Sequence, residues 1–112
     1  MSEKKFKLNE DIKLNDKSKI NYIFKQGLKK PQKISVIYYV KSDSFKFLIT
    51  FKRKLLNSVK RNKFKRIIKE FIRLNQYNLR KIDCAVLLVK IPPSKIHLLK
   101  ELEFLIQNEN FK

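Results

Sequence analysis

The sequence predicts an α+β fold in which one small sheet is covered mainly on one face by helices. Residues 34–40, 45–51 and 82–91 form runs rich in β-branched, aromatic and other apolar side chains, which favour strands. Before, between and after these runs, apolar residues recur at the spacing of amphipathic helices. The predicted order is therefore α-β-β-α-β-α, with room for one more short strand in 28–33.

The first helix is predicted from about Asp16 to Gln26. Asn15 or Asp16 can accept hydrogen bonds from the free N–H groups of its first turn. Gly27, the only glycine of the chain, comes where a helix often ends in a left-handed residue. The apolar side chains at helical spacing are Ile20, Ile23 and Phe24.

The next two strands are predicted to pair as an antiparallel hairpin. The runs at 34–40 and 45–51 are joined by four residues typical of a turn. Tyr38 and Tyr39 are adjacent in the first strand, so their side chains face opposite sides of the sheet. One of them can join the core while the other lies on an open face, and the pattern leaves open which. The second strand is predicted to place three aromatic side chains in the core: Phe45, Phe47 and Phe51.

The second helix, predicted from about Asn57 to near Asn75–Asn78, has two sides that require different partners. At about 100° per residue, its apolar and basic side chains separate into two arcs of roughly 140° each. The apolar arc contains Phe64, Ile67, Ile68, Phe71 and Leu74. The basic arc contains Arg61, Asn62, Lys65, Arg66, Lys69 and Arg73, and it is extended by Lys52, Arg53, Lys54 and Lys60. Like charges four residues apart destabilise an isolated helix, whereas a polyanion along that side would convert the repulsion into binding.

The last strand and helix complete a single predicted domain. Residues 82–91 are predicted to form a buried central strand, which ends at the two prolines that follow. Ser94 can cap a final helix with four inward side chains: Ile96, Leu99, Leu102 and Ile106. No repeat or linker divides the chain, so 13–112 is predicted to be one domain behind a flexible basic arm at 1–12.

The charge of the chain indicates a polyanionic partner. The 112 residues include 28 Lys and Arg against 10 Asp and Glu, a formal net charge of +18. This excess favours nucleic acid first and an acidic membrane surface second. The 43% hydrophobic content favours a folded domain over a disordered basic tail. No transmembrane run or secretory signal is apparent, and the lone Cys84 cannot form an intrachain disulfide, so a cytoplasmic protein is expected.

No catalytic or metal-binding constellation is predicted in this chain. His97, the sole histidine, is expected on the exposed side of the last helix and is interpreted as a surface residue. Asp83 and Glu70 could serve as metal ligands in principle. Glu70 is better explained as an ion-pair partner of Arg66 or Arg73. One glycine cannot build a phosphate-binding loop.

The second helix resembles the signature helix of the protein subunit of bacterial ribonuclease P. That signature is an Arg-Asn-Arg step, then Lys-Arg, then a further Arg beside an acidic residue. Here the corresponding residues are Arg61-Asn62-Lys63, Lys65-Arg66 and Lys69-Glu70. The flanking segments are also similar to the family, so the resemblance covers about 8–108: 20–27, 34–40, 45–54 and 82–90.

The resemblance implies a two-layer α/β sandwich like the second domain of a small-subunit ribosomal protein, with a left-handed β-α-β crossover around the signature helix. It also implies that a large RNA subunit, with Mg²⁺ bound mainly by that RNA, cleaves precursor tRNA at its 5′ end. The protein would contribute no catalytic residue and would bind the RNA subunit and the 5′ leader, with no protein partner expected. The implied RNA contacts are Arg61, Asn62, Lys65, Arg66 and Lys69, and the implied leader cleft contains Ile20, Phe24 and Tyr38.

Four positions depart from the family pattern. Ile20 stands where the family usually has Phe, which removes a stacking contact, and Leu56 replaces a usual Gly ahead of the helix. Lys63 and Lys69 replace arginines, which keeps the charge but loses the planar fork that binds phosphate bidentately. Two alternatives stay open on the residues alone: a structural RNA-binding protein of the ribosome, and a DNA-binding or membrane-surface domain.

Overall fold

The computed structural model describes residues 13–106 as one four-stranded sheet with three helices. In chain order the elements are α1 Lys17–Gln26, β1 Leu28–Pro31, β2 Ser35–Lys41, β3 Lys46–Phe51, α2 Ser58–Leu74, β4 Ile82–Leu88 and α3 Lys95–Leu102. A 3-10 turn at Glu103–Leu105 follows α3 directly. The predicted class and order are confirmed, including the extra short strand between α1 and β2. The basic arm predicted at 1–12 lies outside the described residues.

Side-chain oxygens define the starts of α1 and α2. Asp16 Oδ1 accepts hydrogen bonds from the backbone N–H groups of Ser18, at 2.9 Å, and Lys19, at 3.4 Å. Asn57 Oδ1 accepts from the backbone N–H of Lys60 at 2.9 Å. These N–H groups have no partner within their own helix, and a cap of this kind is worth about 1 kcal/mol. The caps hold both helices at the boundaries that their sequences predict.

Gly27 ends α1, but the left-handed conformation predicted for it is wrong. Its φ is −72° and its ψ is 165°, which is an extended backbone. The glycine is needed for space, because a Cβ at this position would overlap the carbonyl oxygen of Ile23 and lie 3.0 Å from that of Tyr39. The chain thus leaves α1 too close to β2 for any side chain to fit.

The strand order in the sheet is β1-β2-β4-β3. β2 pairs antiparallel with β1 and with β4, whereas β3 pairs with β4 in parallel. The predicted hairpin between β2 and β3 is therefore wrong, because β4 lies between them. β4 is the most deeply buried strand, so it takes a central place with both of its edges paired. β3, α2 and β4 form the parallel β-α-β crossover that the family resemblance implies.

Helices cover the two faces of the sheet unequally. The face that packs against α2 and α3, called here the covered face, forms the larger core cluster; its fully buried members include Ile37, Val86, Leu88, Ile68, Ile72, Leu98 and Leu102. The other face, called here the α1 face, has a small cluster of Leu14, Ile23 and Ala85. Around that cluster pack Ile20, Phe24, Tyr38, Val40 and Leu48.

The buried side of α2 is rotated from the predicted one. Its buried residues are Phe64, Ile68 and Ile72, while Leu74, predicted in the apolar arc, is 62% exposed. At 100° per residue, the centre of the buried stripe differs from the predicted centre by roughly 60°. A similar correction applies to α3, where Ile96 is 65% exposed instead of inward. Spacing within a helix determines which residues share a side, but neighbouring elements determine which side is buried.

Candidate nucleic-acid interface

Along and beside its exposed side, α2 carries basic and amide side chains that are called here the basic ridge. Lys60, Asn62, Arg66 and Lys69 are exposed, and Arg61, Lys65 and Arg73 are half-buried. The ridge lies on one capped helix whose opposite side is packed into the core, so its side chains project from a rigid support. The structure therefore brings seven of the ten predicted RNA-contact residues together on a single element.

Arg61 is directed partly into the protein. Its Cζ atom lies 5.7 Å from the centre of the Phe51 ring on β3. Its Nε is buried and has no hydrogen-bond partner among residues 13–106. The helical period explains this, because Arg61 lies on the same side of α2 as Ile68 and Ile72. Its aliphatic stem is packed, and its charged end is the part that can reach a ligand.

Lys65 and Lys69 line a groove between α2 and the outer edge of the sheet. Lys13 and Leu14 form the other wall, where the Leu14 N–H donates to the Phe47 carbonyl at 2.8 Å. Lys13 is exposed, so this edge contributes a further cation beside the ridge. Sequence analysis missed Lys13 because its pairing with β3 depends on a contact between distant segments.

Three exposed cations, Lys52, Arg53 and Lys54, form the turn that leads into α2. The Leu55 N–H donates to the Lys52 carbonyl at 3.0 Å, and Lys54 has a φ of 64°. A left-handed conformation costs a residue with a side chain roughly 1–2 kcal/mol. Leu56, two residues after Lys54, is 8% exposed and anchors the turn in the core. This anchor stands where the family usually has glycine, and the cations project at the start of the ridge.

Glu70 pairs with Arg73 near the end of the ridge. Arg73 Nε donates to Glu70 Oε1 at 3.1 Å, and a terminal N–H of the same guanidinium donates to Oε2. The hydrogen bond from Arg73 lowers the pKa of the Glu70 carboxyl, and the charges of Arg73 and Lys95 act in the same direction. Of the two arginines that the sequence offers as partners, the structure selects Arg73. The end of the ridge therefore carries less net charge than its middle.

The α1 face forms a cleft against α1, called here the α1 cleft. Phe24 and Tyr38 are in ring contact, with centroids 4.8 Å apart and planes tilted by 55°. Ile20 packs against the same cluster, and Lys29 Nζ lies 5.5 Å from the centre of the Tyr38 ring. The structure decides between the two tyrosines, because Tyr39 packs against the core cluster of the covered face. All three predicted cleft residues come together, and Lys29 joins them from β1.

Beyond α1 the same sheet face is only half-buried. Val36, Leu87 and Thr50 form one row across β2, β4 and β3, two residues away in each strand from the row under α1. This row makes a mostly apolar floor beside the Phe24–Tyr38 ring pair. Aromatic rings and an apolar floor near cations can stack unpaired bases.

The groups that could act in catalysis are separated or protected. His97 is exposed and its Nδ1 lies 2.7 Å from Ser94 Oγ, so the hydroxyl predicted to cap α3 contacts a side chain instead. Cys84 is fully buried, and this burial raises the pKa of its thiol, as does the charge of Asp83 to a smaller extent. Asp83 is 5% exposed, with one carboxylate oxygen unpartnered within 13–106. Over that range no three His, Cys, Asp or Glu side chains meet as metal ligands.

Comparison with known proteins agrees with this geometry. A family model described as Ribonuclease P matches residues 8–108, which include the ridge and the cleft. No curated protein sequence matches the chain significantly. Between residues 13 and 106 there is no helix with both the length and the apolar character to span a bilayer.

Solved structures of bacterial RNase P proteins share the fold. A Staphylococcus aureus RNase P protein mutant with defective mRNA degradation activity has a TM-score of 0.76 at 22% identity, with 86% of each chain covered. Another S. aureus RNase P protein structure has a TM-score of 0.71 at 24% identity, covering 95% of this chain and 99% of that one. The Thermotoga maritima RNase P protein has a TM-score of 0.73 at 23% identity, covering 85% and 94%.

Proposed function

The chain belongs to the ribonuclease P protein family, and we propose that it serves this RNA-based, tRNA-processing endoribonuclease as an accessory subunit without catalytic residues of its own. It is the protein component of ribonuclease P, and its partner is the RNA subunit of that enzyme. In this proposal the RNA performs the cleavage and the protein positions RNA segments by binding them. A purely structural role in the ribosome is not favoured by the family match.

The basic ridge is proposed to dock on the RNA subunit. Its cations displace counterions from phosphates, which favours binding and lowers the repulsion between two polyanions brought together. If ~6–10 phosphates are contacted, affinity should fall by about 10³–10⁵ between ~50 and ~200 mM salt. The proposed contacts are Lys52, Arg53, Lys54, Lys60, Arg61, Asn62, Lys65, Arg66, Lys69 and Arg73, with Arg61 acting only through its terminal N–H groups.

The α1 cleft is proposed to hold the 5′ leader of precursor tRNA. The observation that carries this proposal is the Phe24–Tyr38 ring pair, 4.8 Å between centroids, at the border of a half-covered sheet face. Lys29, 5.5 Å from the Tyr38 ring centre, adds a cation that a leader phosphate can reach. Ile20 supplies apolar contact without a ring, so stacking would depend on Phe24 and Tyr38.

Mg²⁺ is proposed to be held mainly by phosphates of the RNA subunit, where it supports the cleavage chemistry. The carboxylates of this chain suit that assignment, since Glu70 is engaged by Arg73 and no three-ligand group occurs in 13–106. The protein would act on the reaction by holding substrate and RNA subunit in one complex. A cytoplasmic location is part of the same proposal.

A matched pair of aromatic substitutions tests the cleft assignment. Phe24→Ala should weaken holoenzyme binding of leader-bearing precursor tRNA by about 5- to 100-fold, since base stacking on an aromatic ring is worth ~1–3 kcal/mol. Binding of mature tRNA should not change. Tyr77→Ala removes an aromatic ring that is 80% exposed and outside both surfaces, and it should affect neither substrate. Equal losses on both substrates with Phe24→Ala would contradict the assignment.

A further inference from the structure

A third basic surface lies around Phe104, at the end of the covered face. Two adjoining cavities share Arg80 and Phe104 in their walls. This surface, called here the Phe104 groove, is lined by Lys30, Tyr39, Lys41, Arg80, Lys81 and Phe104. Four of these six side chains are cations, and one carboxylate, Glu103, lies at the border. Neither the ridge nor the α1 cleft includes any of them.

Arg80 is held in one orientation by Phe104. Its Nε donates to the Phe104 carbonyl at 2.6 Å, and its Cζ lies 4.8 Å from the centre of the ring. No other hydrogen bond of this side chain is found between residues 13 and 106. The Nε position is therefore occupied, whereas the two terminal amino groups make no hydrogen bond within residues 13–106. Through such a pair of amino groups an arginine can bind a phosphate with two parallel hydrogen bonds.

The rest of the groove supports the same chemistry. Lys30 Nζ lies 5.7 Å from the Phe104 ring centre, and Tyr39 packs against that ring with centroids 5.1 Å apart. Lys41 and Lys81 are exposed on the opposite wall. Several cations thus converge on one aromatic platform, which is a combination suited to the backbone of a nucleic acid.

The groove and the ridge lie on opposite sides of α2. Phe71 and Asn75, at its C-terminal end, line the groove. At 100° per residue they are roughly 120–180° around the helix from Lys69 and Arg66 of the ridge. Because an α-helix with its side chains is about 10–12 Å thick, one folded RNA can reach both surfaces around the end of α2. The α1 cleft is on the other face of the sheet, so a leader bound there does not compete.

We propose that the Phe104 groove is a second docking surface for the RNA subunit of ribonuclease P, which binds it through backbone phosphates at Arg80, Lys30 and Lys81. This rests on the proposed function of the chain as an RNA-binding subunit. The ridge and the groove then hold the RNA from two sides of α2, and the cleft stays available to the leader.

The double variant Lys30→Gln/Lys81→Gln tests the groove without disturbing the core, because both lysines are exposed. Its affinity for the RNA subunit should fall about 10-fold at ~150 mM salt, and the slope of log K against log salt should decrease by about two units. Lys33→Gln/Lys100→Gln is the matched control, since it removes two exposed lysines that line a different groove. Equal effects of the two double variants would overturn the proposal, because general charge would then explain both.

Further measurements distinguish RNA docking at the Phe104 groove from leader binding in the α1 cleft, and RNA from an acidic protein as the partner. The Lys30→Gln/Lys81→Gln holoenzyme should keep its preference for leader-bearing substrate. The Phe24→Ala holoenzyme should lose that preference, but its binding of the RNA subunit should keep the same dependence on salt. Arg80→Lys keeps the charge but loses the fork, so a 3- to 5-fold weaker affinity is expected with an unchanged slope. A thermal melt of the Arg80→Lys protein checks that the contact with Phe104 is not needed for folding.

Competition by polyglutamate as strong as that by RNA of equal charge would overturn the RNA assignment in favour of an acidic protein.

Discussion

The two faces of the sheet differ in how completely helices cover them. On the covered face, Ile37 and Leu88 are fully buried beneath α2 and α3. On the α1 face a single helix packs, and the row formed by Val36, Leu87 and Thr50 is half-buried. Apolar burial stabilises the fold in proportion to the area removed from water. Stability is therefore concentrated on one face, which leaves the other free to keep apolar and aromatic surface exposed for a ligand.

The contrast recurs at the level of single aromatic pairs. Phe24 and Tyr38 meet on the α1 face beside a half-exposed strip of sheet. Tyr39 and Phe104 meet on the covered face, where the ring also orients Arg80. Similar ring contacts thus border a half-exposed surface on one side and place a cation on the other. Four predictions test this comparison, from the largest expected effect to the smallest.

The covered face should respond most strongly to loss of a buried side chain. Ile72→Ala is expected to lower the free energy of unfolding by about 2–5 kcal/mol, because it leaves a cavity among α2, α3 and the sheet. Urea denaturation measures this difference. Leu74→Ala, two residues later and 62% exposed, should change it by no more than ~0.5 kcal/mol. Similar costs for the two would mean that the apolar arc predicted from spacing is the buried one.

The junction between α1 and β2 should be the next most sensitive site. Gly27→Ala introduces a Cβ against the carbonyl oxygens of Ile23 and Tyr39. Overpacking of this kind costs typically about 1–3 kcal/mol, and relief requires the last turn of α1 to distort, because the shortest contact is with the Ile23 carbonyl of α1 itself. The free energy of unfolding and the affinity for leader-bearing substrate should therefore both decrease. The exposed neighbour Gln26 is the control: Gln26→Ala should alter neither, and a neutral Gly27→Ala would show that the chain has room to shift.

Substitution of the adjacent tyrosines should separate binding from stability. Tyr39→Ala removes packing on the covered face and should lower the free energy of unfolding by about 1–2 kcal/mol, with leader preference unchanged. Tyr38→Ala should instead reduce the preference of the holoenzyme for leader-bearing substrate. Denaturation curves and substrate affinities of the two variants make the comparison directly. A reversed pattern would mean that the leader lies on the covered face.

The smallest effect is expected at the Glu70–Arg73 pair. The pKa of Glu70 is below its ordinary value of 4.5 in the folded protein, so the pair contributes stability above pH 4.5 that is lost as pH falls through the folded pKa. Glu70→Gln should therefore melt slightly lower than the wild type at neutral pH, and the two should converge in acid. At neutral pH the variant should bind the RNA subunit a few-fold tighter, because the ridge loses a negative charge. A melting difference that persists in acid, once Glu70 is protonated in the folded protein, would exclude the ion pair as its cause.

Local sequence patterns predicted the helices and strands well, but they predicted poorly which elements pack or pair with one another. The cap Asp16, the two-sided helix α2 and the buried run of β4 all depend on residues close together in the sequence. The hairpin between β2 and β3 was wrong because a strand pattern does not say which strand will pair with it. Of the proposed site residues, the three of the cleft could be grouped only through the resemblance, since they come from two elements that meet in the fold.

Residue types and short-range spacing alone determine the charge excess, the opposed sides of α2 and the family signature at Arg61–Glu70. The tertiary structure alone decides that Tyr38 faces the cleft, that Arg61 turns inward, and that Lys30, Arg80 and Phe104 meet in one groove. The physical reason is that backbone geometry repeats over a few residues, whereas apolar burial is non-directional and acts between segments far apart in the chain.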